Sequence, residues 1–168
     1  MKNLPKFQRV VAQARIDTPL GPLVLAATET GLAGAWFDDQ KHHPGAIDAP
    51  VDATHPHIVR AAQALQAYWR GRPQSFDLPL DAEGTAFQHA VWQALCTIAP
   101  GELSTYGEIA RRIGRPSAVR AVGAAVGRNP LGIIVPCHRV VGRDGSLTGY
   151  AGGLHRKQAL LVHEGAAP

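Results

Sequence analysis

The sequence contains little cysteine: only Cys96 and Cys137 occur among its 168 residues. Two cysteines are too few for a disulfide framework or a zinc site, and they fit a reducing cytoplasm. No apolar run approaches the roughly 20 residues that a membrane-spanning helix requires. The first residues also lack the apolar stretch of a signal peptide. We therefore expect a soluble, cytoplasmic protein.

Hydrophobic residues make up 45% of the chain and charged residues 18%, which is typical of a folded globular protein. The charge is unevenly distributed. Residues 1–99 carry 8 Lys or Arg and 9 Asp or Glu, a net charge of −1, whereas residues 100–168 carry 9 and 4, a net charge of +5. A basic C-terminal part suggests contact with a polyanion. A solvated basic face that binds nothing fits the charge equally well.

The N-terminal part has the pattern of short strands. Predicted strands cover residues 8–16, 23–27 and 32–37, and a Pro/Gly turn between the first two favours a hairpin. The apolar residues of 58–69 recur at helical spacing, and residues 76–80 form a further predicted short strand. Together these patterns predict a three-stranded meander followed by a helix.

The C-terminal part has clear helix-start signals. Capping boxes at residues 85–88 and 105–108 predict two helices, and a third helix is predicted over residues 118–127. Two short helices joined by a tight Gly-containing turn make a helix-turn-helix candidate. We therefore predict an α/β (α+β) fold in two domains. The first, residues 1–83, is a small, mostly antiparallel sheet plus a helix, and the second, residues 84–168, is mainly helical.

The predicted third helix has an unusual composition. Val119, Val122 and Val126 are spaced to face the core, while alanine and glycine leave the remaining surface almost without side chains. Such a bare face permits close approach of another helix or of a nucleic-acid groove, and composition alone does not distinguish them. Arg120 opposes the helix dipole in the first turn at a cost of roughly 0.3–1 kcal/mol. This cost favours a role for Arg120 at a phosphate or a base.

A cysteine and a histidine occur together in an otherwise apolar stretch, residues 132–141 (GIIVPCHRVV). At its reference pKa only about 3% of a thiol is ionised at neutral pH, so a nucleophilic cysteine needs a nearby base or positive charge. His138 and Arg139 could supply these to Cys137. A free cysteine is also commonly an inert core residue, and this is our prediction for Cys96.

The hexapeptide 136–141 (PCHRVV) resembles the active-site signature of the O6-alkylguanine-DNA alkyltransferases, which repair DNA by accepting an alkyl group on their own cysteine. Further segments resemble the same family in order and spacing: 84–88 (GTAFQ) with 91–92 (VW), 106–110 (YGEIA), 120–123 (RAVG), 129–130 (NP), 150–154 (YAGGL) and 163–165 (HEG). The resemblance covers essentially all of residues 84–168. It extends more loosely to the N-terminal sheet, for which it implies a ribonuclease-H-like fold.

The resemblance implies catalytic roles for five residues. Cys137 would be the alkyl acceptor, and His138 would be the base that acts on it through a bridging water. Glu164 would orient and polarise this histidine. Tyr106 would donate a hydrogen bond to N3 of the leaving guanine, and Asn129 would tie the helix-turn-helix to the active-site segment.

The resemblance also implies DNA as the partner. It predicts stoichiometric alkyl transfer from O6-alkylguanine, and from O4-alkylthymine, in nucleotides flipped out of double-stranded or single-stranded DNA. The protein would act as a monomer without cofactor, metal ion, membrane or obligate protein partner, and Arg120 would fill the gap in the duplex. The other predicted minor-groove contacts are Ser117, Ala118, Ala121, Gly123 and Arg139, and the predicted substrate pocket contains Val140, Tyr150 and Ala151.

The sequence departs from the family at three positions near the predicted pocket. Ala151 stands where some members have serine, so the backbone N–H groups of Tyr150 and Ala151 would have to contact the substrate oxygen. Gly132 and Thr148 replace the proline and glycine of mammalian members. These two departures leave the accepted size of the alkyl group open.

Two other functions compete with alkyl transfer. A non-enzymatic damage-binding protein of the alkyltransferase-like kind would keep the arginine and tyrosine but replace the acceptor cysteine, whereas Cys137 is present here. A Cys-His hydrolase would need an oxyanion hole and would turn over, and it would leave the basic helix-turn-helix without a purpose. Alkyl transfer to Cys137 is the function that the sequence favours.

Overall fold

Three strands and a helix precede a mainly helical part in the structure, a computed structural model that describes residues 7–71 and 75–166. The strands are β1 (Ala12–Ile16), β2 (Leu23–Ala27), β3 (Leu32–Phe37), β4 (Ser104–Thr105) and β5 (Val140–Val141). The α-helices are α1 (Pro56–Trp69), α2 (Ala86–Leu95), α3 (Tyr106–Arg112), α4 (Val119–Gly127) and α5 (Leu154–His163). A short 3-10 helix covers Cys137–Arg139. The predicted mixed α/β fold is confirmed.

The first three strands form an antiparallel sheet in the order β1-β2-β3. Leu25 at its centre pairs with Ala14 on one side and with Ala35 on the other. Helix α1 packs on this sheet, and its buried residues recur at helical spacing: Ile58, Ala61, Leu65 and Tyr68. Trp36 belongs to a second, smaller buried cluster. The predicted meander and the helix that follows it are therefore present.

Two predicted strand ranges differ from the structure. The sequence predicts a strand over residues 76–80, but in the structure only Leu80 makes an isolated bridge, to Leu32. Pro79 has no N–H to donate to a ladder, and only its carbonyl takes part, accepting from the Leu32 N–H at 2.9 Å. The strand predicted over 8–16 begins at Ala12.

Both predicted capping boxes are present. The Thr85 side chain accepts from the N–H of Gln88 at 3.1 Å, and the Gln88 side chain accepts from the N–H of Thr85 at 3.0 Å. Thr105 and Glu108 make the same pair of bonds at 3.2 and 3.0 Å. These local bonds explain why α2 and α3 begin where the sequence predicts.

Helix α4 packs on α2 and α3 through a stripe that differs from the predicted one. Val122 and Val126 are buried as expected, but Val119 is 41% exposed, so its predicted core position is wrong. Helix α4 begins at Val119, whose side chain lies at the end of the buried stripe, and Ala125 completes the stripe instead. The Trp92 indole donates to the Ala125 carbonyl at 2.9 Å and thereby joins α2 to α4.

The predicted core position of Cys96 is also wrong. Cys96 is exposed, since α2 ends at Leu95 and the chain turns there.

The segment that carries Cys137 is held between the two parts of the chain. Ala35 of β3 donates to the Pro130 carbonyl at 2.8 Å and accepts from the Gly132 N–H at 3.1 Å. After Cys137, β5 pairs in parallel with β4, which is the strand directly before α3. Both attachments are backbone hydrogen bonds, so the sheet and the helical part together fix the path of this segment.

The division of the chain into domains of residues 1–83 and 84–168 stays a prediction. Within residues 7–71 and 75–166, no helix combines the length and the apolar character needed to cross a membrane.

Truncation of Leu160 on α5 should be strongly destabilising. Leu160 is fully buried, so Leu160→Ala should lower the free energy of unfolding by about 2–5 kcal/mol. Leu154, on the same helix, is 48% exposed, and Leu154→Ala should cost less than about 0.5 kcal/mol. Urea unfolding of both variants measures the difference, and equal losses would contradict the packing of α5.

Candidate active site

Cys137 lies at the start of the short 3-10 helix, directly after Pro136, and is only 6% exposed. The Asn129 side-chain amide donates to Cys137 Sγ at 3.2 Å and to the Val135 carbonyl at 2.9 Å. Its oxygen accepts from the Leu131 N–H at 2.9 Å. Asn129 therefore connects the end of α4 to the cysteine segment and places a donor on the sulfur.

The surroundings of Cys137 act on its ionisation in opposite directions. Burial raises the pKa of the Cys137 thiol above its usual value. The hydrogen bond from Asn129 and the positive charge of Lys157 lower this pKa in part, without cancelling the effect of burial. The thiol is therefore protonated at neutral pH, and a nucleophilic role requires a partner that takes its proton.

His138 is fully buried, and its Nε2 lies 2.7 Å from Glu164 Oε1. A carboxylate only accepts hydrogen bonds, so Nε2 carries the ring proton and Nδ1 has a free lone pair. Among the described residues Nδ1 has no hydrogen-bond partner, although it is buried. Burial lowers the pKa of His138, and the opposing effect of Glu164 is smaller. His138 is thus a neutral base with an unsatisfied acceptor atom.

Glu164, the residue that caps the end of α5, accepts hydrogen bonds from three side chains. Oε1 accepts from the Tyr68 hydroxyl at 2.8 Å, from His138 and from Arg139 Nη2 at 2.8 Å, and Oε2 accepts from Arg139 Nε at 2.9 Å. Burial alone would raise the pKa of Glu164, but the hydrogen bonds from His138 and Arg139 lower it to about 2. Glu164 is therefore ionised, as the assignment of the His138 proton requires.

Arg139 does not lie where a DNA contact would require it, and this corrects the predicted set of DNA-binding residues. It is 3% exposed, pairs with Glu164 and donates to the Ile98 carbonyl at 2.5 Å. The buried charge of Glu164 requires a partner, and Arg139 is the cation that supplies it. The guanidinium is thus a structural group of the interior.

A cavity of about 490 Å³ lies close to His138, because Tyr150 belongs to its lining. Four residues singled out from the sequence line it, namely Tyr106, Gly123, Tyr150 and Ala151, together with further residues that include Gly127 and Gly149. The described lining does not include Cys137, which is buried. The ring of Tyr150 is 6.5 Å from that of His138, so the cavity wall adjoins the buried base.

Tyr106 projects from the first position of α3, and its hydroxyl lies 3.1 Å from Thr148 Oγ1. An added Cβ on Gly123 would lie 3.8 Å from the Tyr106 ring, so α4 comes close to this ring. Val140, predicted to belong to the substrate pocket, is fully buried and is not among the residues described as lining the cavity. The Tyr106 hydroxyl is thus a polar group at a cavity that Tyr106 itself lines.

The residues predicted to face DNA lie around the start of α4. Ser117, Arg120 and Ala121 are exposed, and Ala118 is half-buried. Arg120 extends from the second residue of the helix. Its exposure leaves the guanidinium free to reach a partner outside the protein.

Two buried residues of the site, Lys157 and Tyr68, are not predicted as functional from the sequence. Lys157 donates to the carbonyls of Val140 and Thr148 at 2.5 and 2.6 Å, and burial lowers its pKa to about 8. The sequence does contain a signal for Lys157, because it has the spacing of the buried leucines of α5. A lysine is almost never fully buried unless its charge has a partner. The spacing of apolar residues in 58–69 predicts Tyr68 as a core residue, and no sequence signal indicates its hydrogen bond to Glu164.

No group of three or more histidine, cysteine or acidic side chains suited to a metal ion occurs in the part of the chain that the structure describes.

Comparisons with known proteins agree with this geometry. Residues 86–166 match the family model described as the 6-O-methylguanine DNA methyltransferase DNA-binding domain, and residues 11–82 match its ribonuclease-like domain. A methylated-DNA–protein-cysteine methyltransferase of Methanosarcina barkeri is 51% identical over 151 residues, covering 89% of this chain and 94% of that protein. The corresponding protein of Mycobacterium bovis is 49% identical over 149 residues and 89% of each chain.

A solved structure has the same fold. The crystal structure of Mycobacterium tuberculosis OGT in complex with DNA aligns with a TM-score of 0.84 and 46% identity, covering 94% of this chain and 96% of that one. Both parts of the chain, and the order in which they occur, are shared with these proteins. The chain therefore belongs to the methylated-DNA–protein-cysteine methyltransferase family.

Proposed function

We propose that this protein repairs DNA by moving an alkyl group from O6 of a flipped-out guanine, or from O4 of a thymine, to Cys137 Sγ. The observation that carries the proposal is the buried pair of His138 and Glu164, with Cys137 directly before His138 on the 3-10 helix and a cavity lined by Tyr106 nearby. A thiol next to a neutral base is suited to attack on a saturated carbon. The protein acts once, because a thioether is a poor leaving group and nothing regenerates the thiol.

The proposed reaction begins with proton transfer. The Sγ–H proton of Cys137 moves to Nδ1 of His138, through a bridging water, while Glu164 stabilises the resulting imidazolium. The Sγ electron pair forms a bond to the alkyl carbon as the carbon–O6 bond breaks, and guanine leaves with that electron pair. Tyr106 donates its hydroxyl proton in a hydrogen bond to N3 of the leaving base, which offsets the developing charge.

The cavity is proposed to hold the flipped base. Backbone N–H groups of Tyr150 and Ala151 would contact the substrate oxygen, since Ala151 has no hydroxyl. Removing a nucleotide from the stack costs a few kcal/mol. An inserted side chain offsets this cost by filling the gap, and Arg120 at the exposed start of α4 is suited to do so.

The proposed partner is DNA, approached from the minor groove by α4. Ser117, Ala118, Ala121 and Gly123 would allow the backbone to lie close to the groove. The exposed arginines of residues 100–168, among them Arg111, Arg120 and Arg128, would attract phosphates. The substrate is double-stranded or single-stranded DNA, and a monomer suffices. The reducing cytoplasm, where both thiols stay free, is the proposed site of action.

Incubation with an O6-methylguanine oligonucleotide should add one CH2 unit to the peptide that contains Cys137, stoichiometrically and without turnover. Intact-protein and peptide mass spectrometry measure the gain. Cys137→Ser should bind the oligonucleotide and gain no mass, while Cys96→Ser, which alters the exposed cysteine, should react as the wild type does. Binding without modification of the wild type would instead indicate a damage-binding protein.

Arg120→Ala should slow repair of duplex DNA at least tenfold more than it slows reaction with free O6-alkylguanine base, because only the duplex needs its gap filled. Single-turnover rates on both substrates measure this. Arg111→Ala removes another exposed arginine, from α3, and should change the ratio of the two rates much less. Equal losses on both substrates for Arg120→Ala would refute the intruding role.

The single-turnover rate at saturating DNA should stay level as the pH falls from 7.5 to 6.5. Burial lowers the folded-state pKa of His138 below its ordinary value of 6.5, so the base stays unprotonated in this range and is lost only at lower pH. A rate that halves at pH 6.5 or above would contradict the buried, neutral histidine. Circular dichroism at each pH confirms that the fold is retained.

A further inference from the structure

We propose that Tyr68, a residue of α1 outside the cysteine segment, positions the base of the reaction by fixing the carboxylate that holds His138. The inference rests on the proposed function only for its effect on rate, since its effect on the imidazole is measurable without any reaction. It gives the N-terminal part a direct role in the chemistry of a site whose other members follow residue 100.

The Tyr68 hydroxyl donates to Oε1 of Glu164 at 2.8 Å, the same oxygen that accepts from His138 Nε2 at 2.7 Å. Together with Arg139, which donates to both carboxylate oxygens, these two donors fix the position of the carboxylate. The carboxylate in turn fixes the ring plane of His138 and keeps the proton on Nε2. Tyr68 is 96 positions away from Glu164 in the sequence, so this restraint exists only when α1 is docked on α5.

The position of the Tyr68 hydroxyl is itself fixed by packing. Tyr68 is 1% exposed, and its ring lies 4.9 Å from that of His163 and 5.6 Å from that of Phe76. His163 Nε2 also lies 2.7 Å from the Tyr68 carbonyl, which attaches the last turn of α1 to the end of α5. Burial and the charge of Glu164 raise the pKa of Tyr68, so the hydroxyl is a donor at every pH of interest.

The other charged groups around His138 come from different elements. Arg139 follows it on the 3-10 helix and shares Glu164, while Lys157 on α5 adds a second positive charge. Tyr150 and Cys137 are neutral at neutral pH, because burial raises both pKa values. Glu164 is thus the carboxylate that favours the protonated imidazole, and Tyr68 is one of the donors that spread its charge.

Removal of the hydroxyl changes this balance in a defined direction. Without Tyr68 as a donor, more negative charge remains on Oε1 and the imidazolium is better stabilised. The pKa of His138 should therefore rise towards its ordinary value. The carboxylate keeps its two bonds from Arg139 but loses one of the three donors on Oε1, so the position of Oε1 against His138 Nε2 is less restrained.

Nitrogen-15 NMR of the His138 ring in the full-length protein tests the proposal. In Tyr68→Phe the His138 titration midpoint should lie about 0.5–1 pH unit higher than in the wild type. The shift is expected to be this small because the lost hydrogen bond is to Glu164, so it changes the stability of the His138 imidazolium only indirectly. The acid decline of the single-turnover rate should move up by the same amount. Unmethylated protein serves for the titration, so the measurement holds even if no alkyl transfer occurs.

Leu65→Ala is the matched control. Leu65 is 1% exposed on the same face of α1 and makes no bond to Glu164, so its truncation loosens the packing but leaves the hydroxyl in place. Its His138 midpoint should equal that of the wild type. An unchanged midpoint in Tyr68→Phe, or an equal shift in both variants, would overturn the positioning role.

Discussion

The buried carboxylate of Glu164 is the group on which the arrangement of the site depends. An ion removed from water costs several kcal/mol unless its charge is paired and its lone pairs are satisfied. Here the donors come from two separate parts of the chain: Tyr68 from α1, and His138 and Arg139 from the 3-10 helix. Arg139 pairs the charge, and the loss of Tyr68 or His138 as a donor would leave a lone pair of the buried carboxylate unsatisfied. Helix α1, the end of α5 and the cysteine segment are therefore held in one arrangement.

Two further polar side chains fix the backbone on either side of Cys137. Asn129 binds the carbonyl of Val135 before the cysteine, and Lys157 binds the carbonyl of Val140 after it. Both also affect the sulfur, because the amide donates to it and the ammonium lowers its pKa. The groups that shape this segment are thus also the groups that favour its thiolate. A substitution at either position would alter the geometry and the charge together.

The sequence could predict those features that depend on neighbouring residues. The capping boxes at Thr85 and Thr105 define helix starts through bonds within four residues, and both are present. Contacts between distant residues could not be predicted in this way. Arg139 lies in a motif that resembles a DNA-repair signature, yet it pairs with a carboxylate 25 positions away and faces the interior. Tyr68 has the spacing of a core residue, and only the docking of α1 on α5 brings its hydroxyl to Glu164.

The buried, neutral state of Cys137 has a consequence for its selectivity. Proton transfer to His138 turns two neutral groups into an ion pair inside the protein, and this charge separation is unfavourable at low dielectric. Glu164 and Lys157 reduce the cost of this charge separation. The negative charge leaves the sulfur only when a substrate is attacked whose leaving group accepts that charge. A thiol in this state reacts slowly with soluble electrophiles, because it is 6% exposed and not ionised beforehand. Since an acceptor that acts once is lost with every unproductive reaction, burial protects the protein from modification before it meets its substrate.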